Sequence, residues 1–234
     1  MIKKEVAMEV LAKCLVTGGD FAEIFEEDSI SNSIGLIDGK VENALGGRSY
    51  GIGIRIFKGL KSVYAYTNNN SLHSLLQTAE KAALALGELK EDISITLYEK
   101  ETINIHPTIY LPSAVEADKK IGVMKIAYDA AKSYHSEITQ VSVGYGDKEQ
   151  NILIANTDGL YTEDKRVRTR LFINAVASAN GENQTGTEGP GRRAGIEMFK
   201  YIDPEYYGRQ AARSAHTMLH AKNCPAGKMT VAID

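Results

Sequence analysis

Residues 34–67 have the sequence IGLIDGKVENALGGRSYGIGIRIFKGLKSVYAYT. In this stretch Ile52, Ile54 and Ile56 alternate with glycine and arginine, which is the period-two pattern of a strand that buries one face. Asp38-Gly39 and Lys58-Gly59 separate apolar, β-branched runs, and glycine takes a positive φ at no steric cost. The stretch is therefore predicted to form a meander of antiparallel strands that reverses at these two dipeptides.

Helices are predicted on both sides of this meander. Apolar residues recur at helical spacing over residues 3–16 and 71–86. The capping-box spacing of Ser113 and Glu116 predicts a helix from Ala114 to about residue 134, and Asp203-Pro204 is a typical start for a helix that runs to about residue 222. The predicted fold class is α+β, with antiparallel meander sheets and packed helices.

Further strands are predicted in the second half of the chain. Residues 137–144 and 151–155 are interpreted as two strands joined by a polar turn at residues 146–149, and a long alternating strand follows the turn at residues 156–159. Residues 181–195 contain five glycines and one proline, so they are predicted to be an irregular connection. Because the order helix, strands, helix occurs twice, we predict two similar halves, residues 1–105 and 106–234.

Composition limits the class of protein. The chain has 234 residues, 43% of them hydrophobic, and a net charge of −3, which does not favour binding to nucleic acid. Cys14 and Cys224 form no CxxC pair, and the first residues contain no signal peptide or membrane span, so we expect a cytoplasmic protein. Residues 228–234, KMTVAID, resemble the opening of a buried strand, and we interpret this ending as truncation.

Two histidines on the last predicted helix have metal-ligand spacing. His216 and His220 are four residues apart and share a helix face. Thr217 stands where an HExxH motif has its glutamate, and Arg209 and Arg213 share the same face. We therefore expect structural or solvated histidines, and we predict neither a metal ligand nor a catalytic residue in this chain.

Several short motifs together resemble one family. They are GxDxAEIF at residues 18–25, DGKVEN at 38–43, GxxxGIGIR at 47–55, YAYT at 64–67, NTDG at 156–159, EGPGRRAG at 188–195 and CPAGKMxV at 224–231. As a set, spread over the whole chain, they resemble the N-terminal region of the TldD/PmbA family of bacterial and archaeal metallopeptidases.

The resemblance implies that the peptide-binding scaffold and the zinc site lie in different regions of the protein. In the catalytic members of this family, CPAGKMxV leads into a C-terminal region with an HExxxH motif and a downstream cysteine that bind zinc, and this sequence stops before that motif. The resemblance thus implies the scaffold and substrate-cleft region of a peptidase that acts on unfolded peptides, inactive alone, with zinc only in the missing region. The alternative is a non-catalytic peptide-binding partner subunit.

The resemblance also implies partners. We expect a peptide substrate and a homodimer, or a heterodimer with a family paralogue, without nucleic acid or membrane. The older name of the family, modulator of DNA gyrase, would indicate a nucleic-acid module, but the acidic charge balance disfavours it.

An extended peptide can add to a sheet edge through main-chain hydrogen bonds, with little demand on its sequence. The candidate substrate-binding residues are Arg55 on the glycine-bearing strand face, Asp158 at the turn, and Gly189, Gly191, Arg192 and Arg193 in the glycine-rich loop. For each of them taken singly, turn geometry or surface charge is the alternative explanation.

Overall fold

A computed structural model describes residues 1–87, 94–222 and 226–232 of the chain. The helices are α1 (Lys4–Leu15), α2 (Leu72–Leu84), α3 (Ala117–Lys132) and α4 (Pro204–Leu219), with short 3-10 helices at Pro112–Ala114 and Ile196–Lys200. The strands are β1 (Phe21–Ile37), β2 (Lys40–Lys58), β3 (Lys61–Thr67), β4 (Tyr98–Glu99), β5 (Ile138–Asn156), β6 (Leu160–Ala179), β7 (Glu182–Glu188) and β8 (Gly191–Arg192).

All of these strands belong to one open sheet. Its order is β3-β2-β1-β5-β6, and β4, β7 and β8 each pair with a different part of β6. Every pairing is antiparallel except that of β4 with β6. Asp38, Gly39 and Gly59 have φ values of 45°, 79° and 56°. The predicted α+β class and the two predicted reversals of the meander are thus confirmed.

Both helix pairs cover the same face of the sheet. Ala22 and Ile24 of β1 pack in a core cluster with α1 and α2, whereas Ile34 and Leu36 pack in a second cluster with α3 and α4. These four residues are separated by even numbers of positions, so they point to one side of β1. The two helix pairs therefore share a sheet. The predicted division into residues 1–105 and 106–234 stays a prediction.

The polar turn predicted at residues 146–149 is wrong, because β5 is continuous from Ile138 to Asn156. Both neighbouring strands, β1 and β6, pair with β5 through these positions. Asp147 is buried there and bonded to Lys120. A hydrogen-bonded ladder on each side outweighs the weak strand preference of glycine and aspartate.

The predicted capping box of α3 is also wrong. The N-cap residue is Glu116, whose side chain makes no capping bond. Ser113 lies in the preceding 3-10 helix, and its amide donates to Glu149 Oε1 at 2.6 Å. A carboxylate from the sheet has therefore taken the place of the predicted local cap, and α3 begins three residues later than predicted.

Two further regions differ from the prediction. Residues 181–195 are more regular than expected, because β7 pairs with β6 and packs on α4. A Cβ at Gly186 would overlap the α4 backbone at Ala211, so glycine permits this close approach. The described part of the predicted last strand, residues 228–232, is exposed and not a strand, because a β-branched run needs a partner ladder and no described strand pairs with it. Cys224 and residues 233 and 234 lie outside the described residues.

None of the helices in the described ranges combines the length and the apolar character needed to cross a bilayer.

Candidate functional site

The longest unpaired sheet edge among the described strands belongs to β2. β3 pairs only with residues 52–58 of β2, so residues 40–51 have β1 on one side and no described strand on the other. Residues 40–49 are exposed. An exposed edge of this length offers a row of free backbone donors and acceptors to an incoming strand.

The ladder alternation identifies which backbone groups face outward. The carbonyl of Ala22 accepts the Thr157 amide and so points towards β5, which directs the odd-numbered residues of β1 towards β2. Over residues 43–57 of β2, which pair with the part of β1 before its register shift at Gly35/Leu36, their partners are odd-numbered as well. The amide and carbonyl groups of Ala44, Gly46 and Arg48 therefore point away from β1, along the free edge.

A groove of about 340 Å³ lies beside this edge, between β2 and the segment that leads into α3. Its lining includes the apolar residues Ile30, Ile34, Leu45 and Val115, and the polar residues Asn32, Ser113 and Lys120. A strand added to the edge would direct every second side chain to the side of the sheet on which the groove lies. Edge and groove together can hold an extended chain.

The floor of the groove is fixed by a buried polar network. Lys120 Nζ lies 2.6 Å from Asp147 Oδ2, and the Asn32 side-chain amide donates to Asp147 Oδ1 at 2.8 Å. The Lys120 ammonium group also lies 5.5 Å from the ring centroid of Tyr145, whose buried hydroxyl has no hydrogen-bond partner among the described residues. Burial, and after it the charge of Asp147, raises the pKa of Tyr145. The network joins α3 to the two central strands.

The predicted residues Arg55 and Asp158 lie at one end of the sheet. Arg55 pairs in register with Glu23, with Nη1 3.8 Å from Oε1, and its guanidinium lies 5.4 Å from the centroid of the Tyr64 ring. Asp158 is exposed in the turn between β5 and β6, where its amide donates to Asn156 Oδ1 at 3.1 Å. Glu23 pairs with both Arg55 and Asn156, which places the two predicted residues in neighbouring rows.

The four predicted loop residues lie at the β6 edge. Gly191 and Arg192 form β8, and the Arg192 guanidinium lies 5.3 Å from the centroid of the Tyr201 ring. Arg193 Nη2 lies 3.5 Å from Asp164 Oδ1. Asp164 belongs to residues 162–168 of β6, which pair only with β5 in the described chain. A Cβ at Gly189 would lie 2.8 Å from the Arg170 guanidinium.

The structure does not bring the six predicted residues together. Arg192 pairs with Thr169, which shares a cross-strand row with Asp147 and Asn32. That row meets β1 nine positions beyond Glu23, about 30 Å away at the usual rise of a strand. Neither group lies on the free part of β2. That edge was not predicted from the sequence, although the last strand of the meander is visibly short.

Three histidines surround one glutamate at the end of α4. Glu137 Oε2 lies 2.7 Å from His220 Nε2, 3.2 Å from His216 Nε2 and 3.5 Å from His135 Nδ1. The hydrogen bond from His220, more than any other contact, holds the pKa of Glu137 below its ordinary value. In the described part of the chain, His135, Glu137 and His216 form a group that could hold a metal ion. No histidine in the sequence is followed by glutamate, so an HExxxH motif is absent.

Comparisons with known proteins agree on one family. Residues 22–85 match the model of PmbA/TldA metallopeptidase domain 1, and residues 110–219 match the model of the PmbA/TldA metallopeptidase central domain. A metalloprotease TldD homolog from Haemophilus influenzae is 28% identical over 222 residues, and a metalloprotease from Methanothermobacter thermautotrophicus is 28% identical over 219 residues. In both cases the match covers 92% of this chain and 46% or 47% of the relative.

The fold recurs in a solved structure. A candidate modulator of DNA gyrase from Bacteroides thetaiotaomicron superimposes with a TM-score of 0.76 at 16% identity, over 96% of this chain and 52% of that one. This chain spans about half the length of the curated relatives that it matches. With domain 1 and the central domain both matched, the chain belongs to the PmbA/TldD family of metallopeptidases.

Proposed function

We propose that this chain is the peptide-recognition scaffold of a metallopeptidase, and that unfolded peptides bind as an added strand along residues 40–51 of β2. The observation that carries this proposal is the exposed, unpaired edge with a groove beside it. Main-chain hydrogen bonds to such an edge accept most sequences, and the groove adds a modest preference for particular side chains.

Two glycines in the middle of the edge support backbone contact. A Cβ at Gly46 would lie 2.8 Å from Asn32 Oδ1, and a Cβ at Gly47 would meet nothing within 4 Å. Glycine within a strand is typical of places where another backbone approaches closely. Leu45, which precedes them in β2 and is exposed over 68% of its surface, provides an apolar contact for a bound peptide.

The peptidase reaction itself is proposed for the longer protein. The relatives are named metalloproteases, and this sequence has no HExxxH motif. We propose that the catalytic zinc is bound by residues beyond this sequence, that the chain alone binds peptides without cleaving them, and that it works as a cytoplasmic homodimer or heterodimer. The alternative is a partner subunit that binds peptides without chemistry. A cleavage assay on the protein from the complete reading frame separates the two.

The edge is tested by the binding of a fluorescent, unstructured peptide, followed by anisotropy. Ala44→Pro removes an outward-facing amide, and Ala44→Thr, the matched control, keeps it. Losing one main-chain hydrogen bond is expected to weaken binding about tenfold. The threonine variant should bind like the unaltered chain, and a chelator should have no effect. Equal binding by the two variants, or no binding by the unaltered chain, would contradict the proposal.

A further inference from the structure

We infer that a divalent transition-metal ion such as Zn²⁺ binds to a cluster of four side chains, those of His135, Glu137, His216 and His220. The site is separate from the peptide edge, and it departs from the sequence prediction, which expected structural or solvated histidines at His216 and His220.

The imidazole nitrogens lie around the Glu137 carboxylate at distances close to those between ligands of one metal ion. A tetrahedral zinc ion bound at about 2.0–2.1 Å holds its nitrogen and oxygen ligands roughly 3.3 Å apart. The three distances from Glu137 Oε2 to the imidazole nitrogens are 2.7, 3.2 and 3.5 Å. The ligand atoms of His135, Glu137 and His216 all lie within 4.8 Å of one another. Small side-chain rotations would therefore bring these three donors around an ion, whereas His220 lies outside this group and is linked to it through Glu137.

Three different elements bring these donors together. His216 lies in the last turn of α4, and His220 is its C-cap residue. His135 follows α3, and Glu137 directly precedes β5. The Glu137 amide donates to His135 Nδ1 at 3.2 Å. Coordination through Nδ1 would exchange that hydrogen bond for a metal bond.

The surrounding cations do not compete for the carboxylate. Arg209, whose charge was expected to disfavour a metal, has Nη2 3.1 Å from Glu205 Oε1. Lys132 Nζ donates to the carbonyl oxygens of Ile138 and Thr139 at 2.9 and 2.6 Å. Arg213 is exposed, where water and salt screen its charge. Neutral imidazoles and one carboxylate give a donor set with net negative charge, which suits zinc.

The site has access to solvent and a full set of protein ligands. The His220 and His135 side chains are 52% and 43% exposed, whereas Glu137 is 24% exposed. His135, Glu137 and His216 supply three ligands, and His220, whose Nε2 lies 2.7 Å from Glu137 Oε2, would supply the fourth by turning its side chain. Four protein donors fill a tetrahedral zinc ion and leave no open position for a substrate, which is typical of structural sites. The bound ion would cross-link α4 to the α3–β5 connection and stabilise the fold.

Calorimetric titration of the purified, metal-stripped chain with zinc chloride tests the inference. One ion per chain is expected, with a tetrahedral visible spectrum when cobalt replaces zinc, and a rise in melting temperature. His216→Ala and Glu137→Gln should each weaken binding by about tenfold or more. His73→Ala and His106→Ala, which change the two histidines outside the cluster, are the matched controls and should bind normally.

Specific binding results would overturn the proposed metal site. Absence of stoichiometric binding, or binding by His216→Ala equal to that of His73→Ala, would overturn the inference and leave a hydrogen-bonded histidine cluster. Loss of binding in Cys224→Ser would also overturn this ligand set. Melting curves without metal verify that the variants fold, and His220→Gln, at the most exposed donor, is the second variant if His216→Ala does not fold. The separate prediction that peptides bind in the presence of a chelator does not depend on whether the chain binds zinc.

Discussion

Replacing Lys120 with methionine should destabilise the fold strongly. The Lys120–Asp147 pair has side chains only 5% and 0% exposed, with Nζ 2.6 Å from Oδ2. Methionine keeps most of the length of the side chain and removes its charge, so Asp147 would keep only the Asn32 bond at 2.8 Å. An uncompensated buried carboxylate of this kind lowers the free energy of unfolding by about 3–5 kcal/mol.

Urea denaturation followed by circular dichroism measures this loss. The matched control is Arg209→Ala on α4, which breaks a pair whose side chains are 52% and 54% exposed and should change stability by at most about 1 kcal/mol. The double variant Lys120→Met/Asp147→Asn should recover part of the loss, because no isolated charge stays buried. A loss in Lys120→Met no larger than in Arg209→Ala would refute the reasoning.

Two further outcomes depend on pKa values. Burial alone would raise the pKa of Glu197, but the amides of Ile109, Tyr110 and Gly195 donate to its carboxylate and together hold the pKa below its ordinary value. The free energy of unfolding should therefore fall as the pH drops below about 5, since the unfolded state binds the proton first. Urea titrations at a series of pH values should show a shallower fall in Glu197→Gln than in the unaltered chain. Equal slopes of unfolding free energy against pH in the two proteins would contradict this. Burial raises the pKa of the Cys14 thiol to about 12, so in a Cys224→Ser background a thiol reagent at neutral pH should react only after denaturant is added, and fast labelling of the native chain would disprove it.

Local patterns predicted much of the fold. The reversals at Asp38-Gly39 and Gly59 and the helix start at Asp203-Pro204 follow from chemistry within a few residues, and each is present. The continuity of β5 through Asp147 could not be predicted in this way. It depends on Asn32 and Lys120, which come from distant parts of the chain and satisfy a carboxylate that looks like a turn residue in isolation.

Neither proposed site could be predicted from the sequence, and the reason is the same for both. The β2 edge is free because β3 ends before it covers the whole strand, which depends on pairing register and not on the composition of residues 40–51. His216 and His220 were recognised as a spaced pair, but Glu137 and His135 approach them only through the packing of α3 on α4. Sequence spacing predicts which residues are neighbours within one helix or strand, whereas both proposed sites depend on how several elements pack together.

Residue-resolved amide hydrogen exchange with and without an unstructured peptide tests the central claim most directly. Peptide addition should slow exchange at Ala44, Gly46 and Arg48, whose amides face outward, and leave Leu45 and Gly47 unchanged because they already bond to β1. Slowed exchange confined to the loop at residues 189–193, or a bound peptide that protects none of the outward-facing amides, would contradict the account.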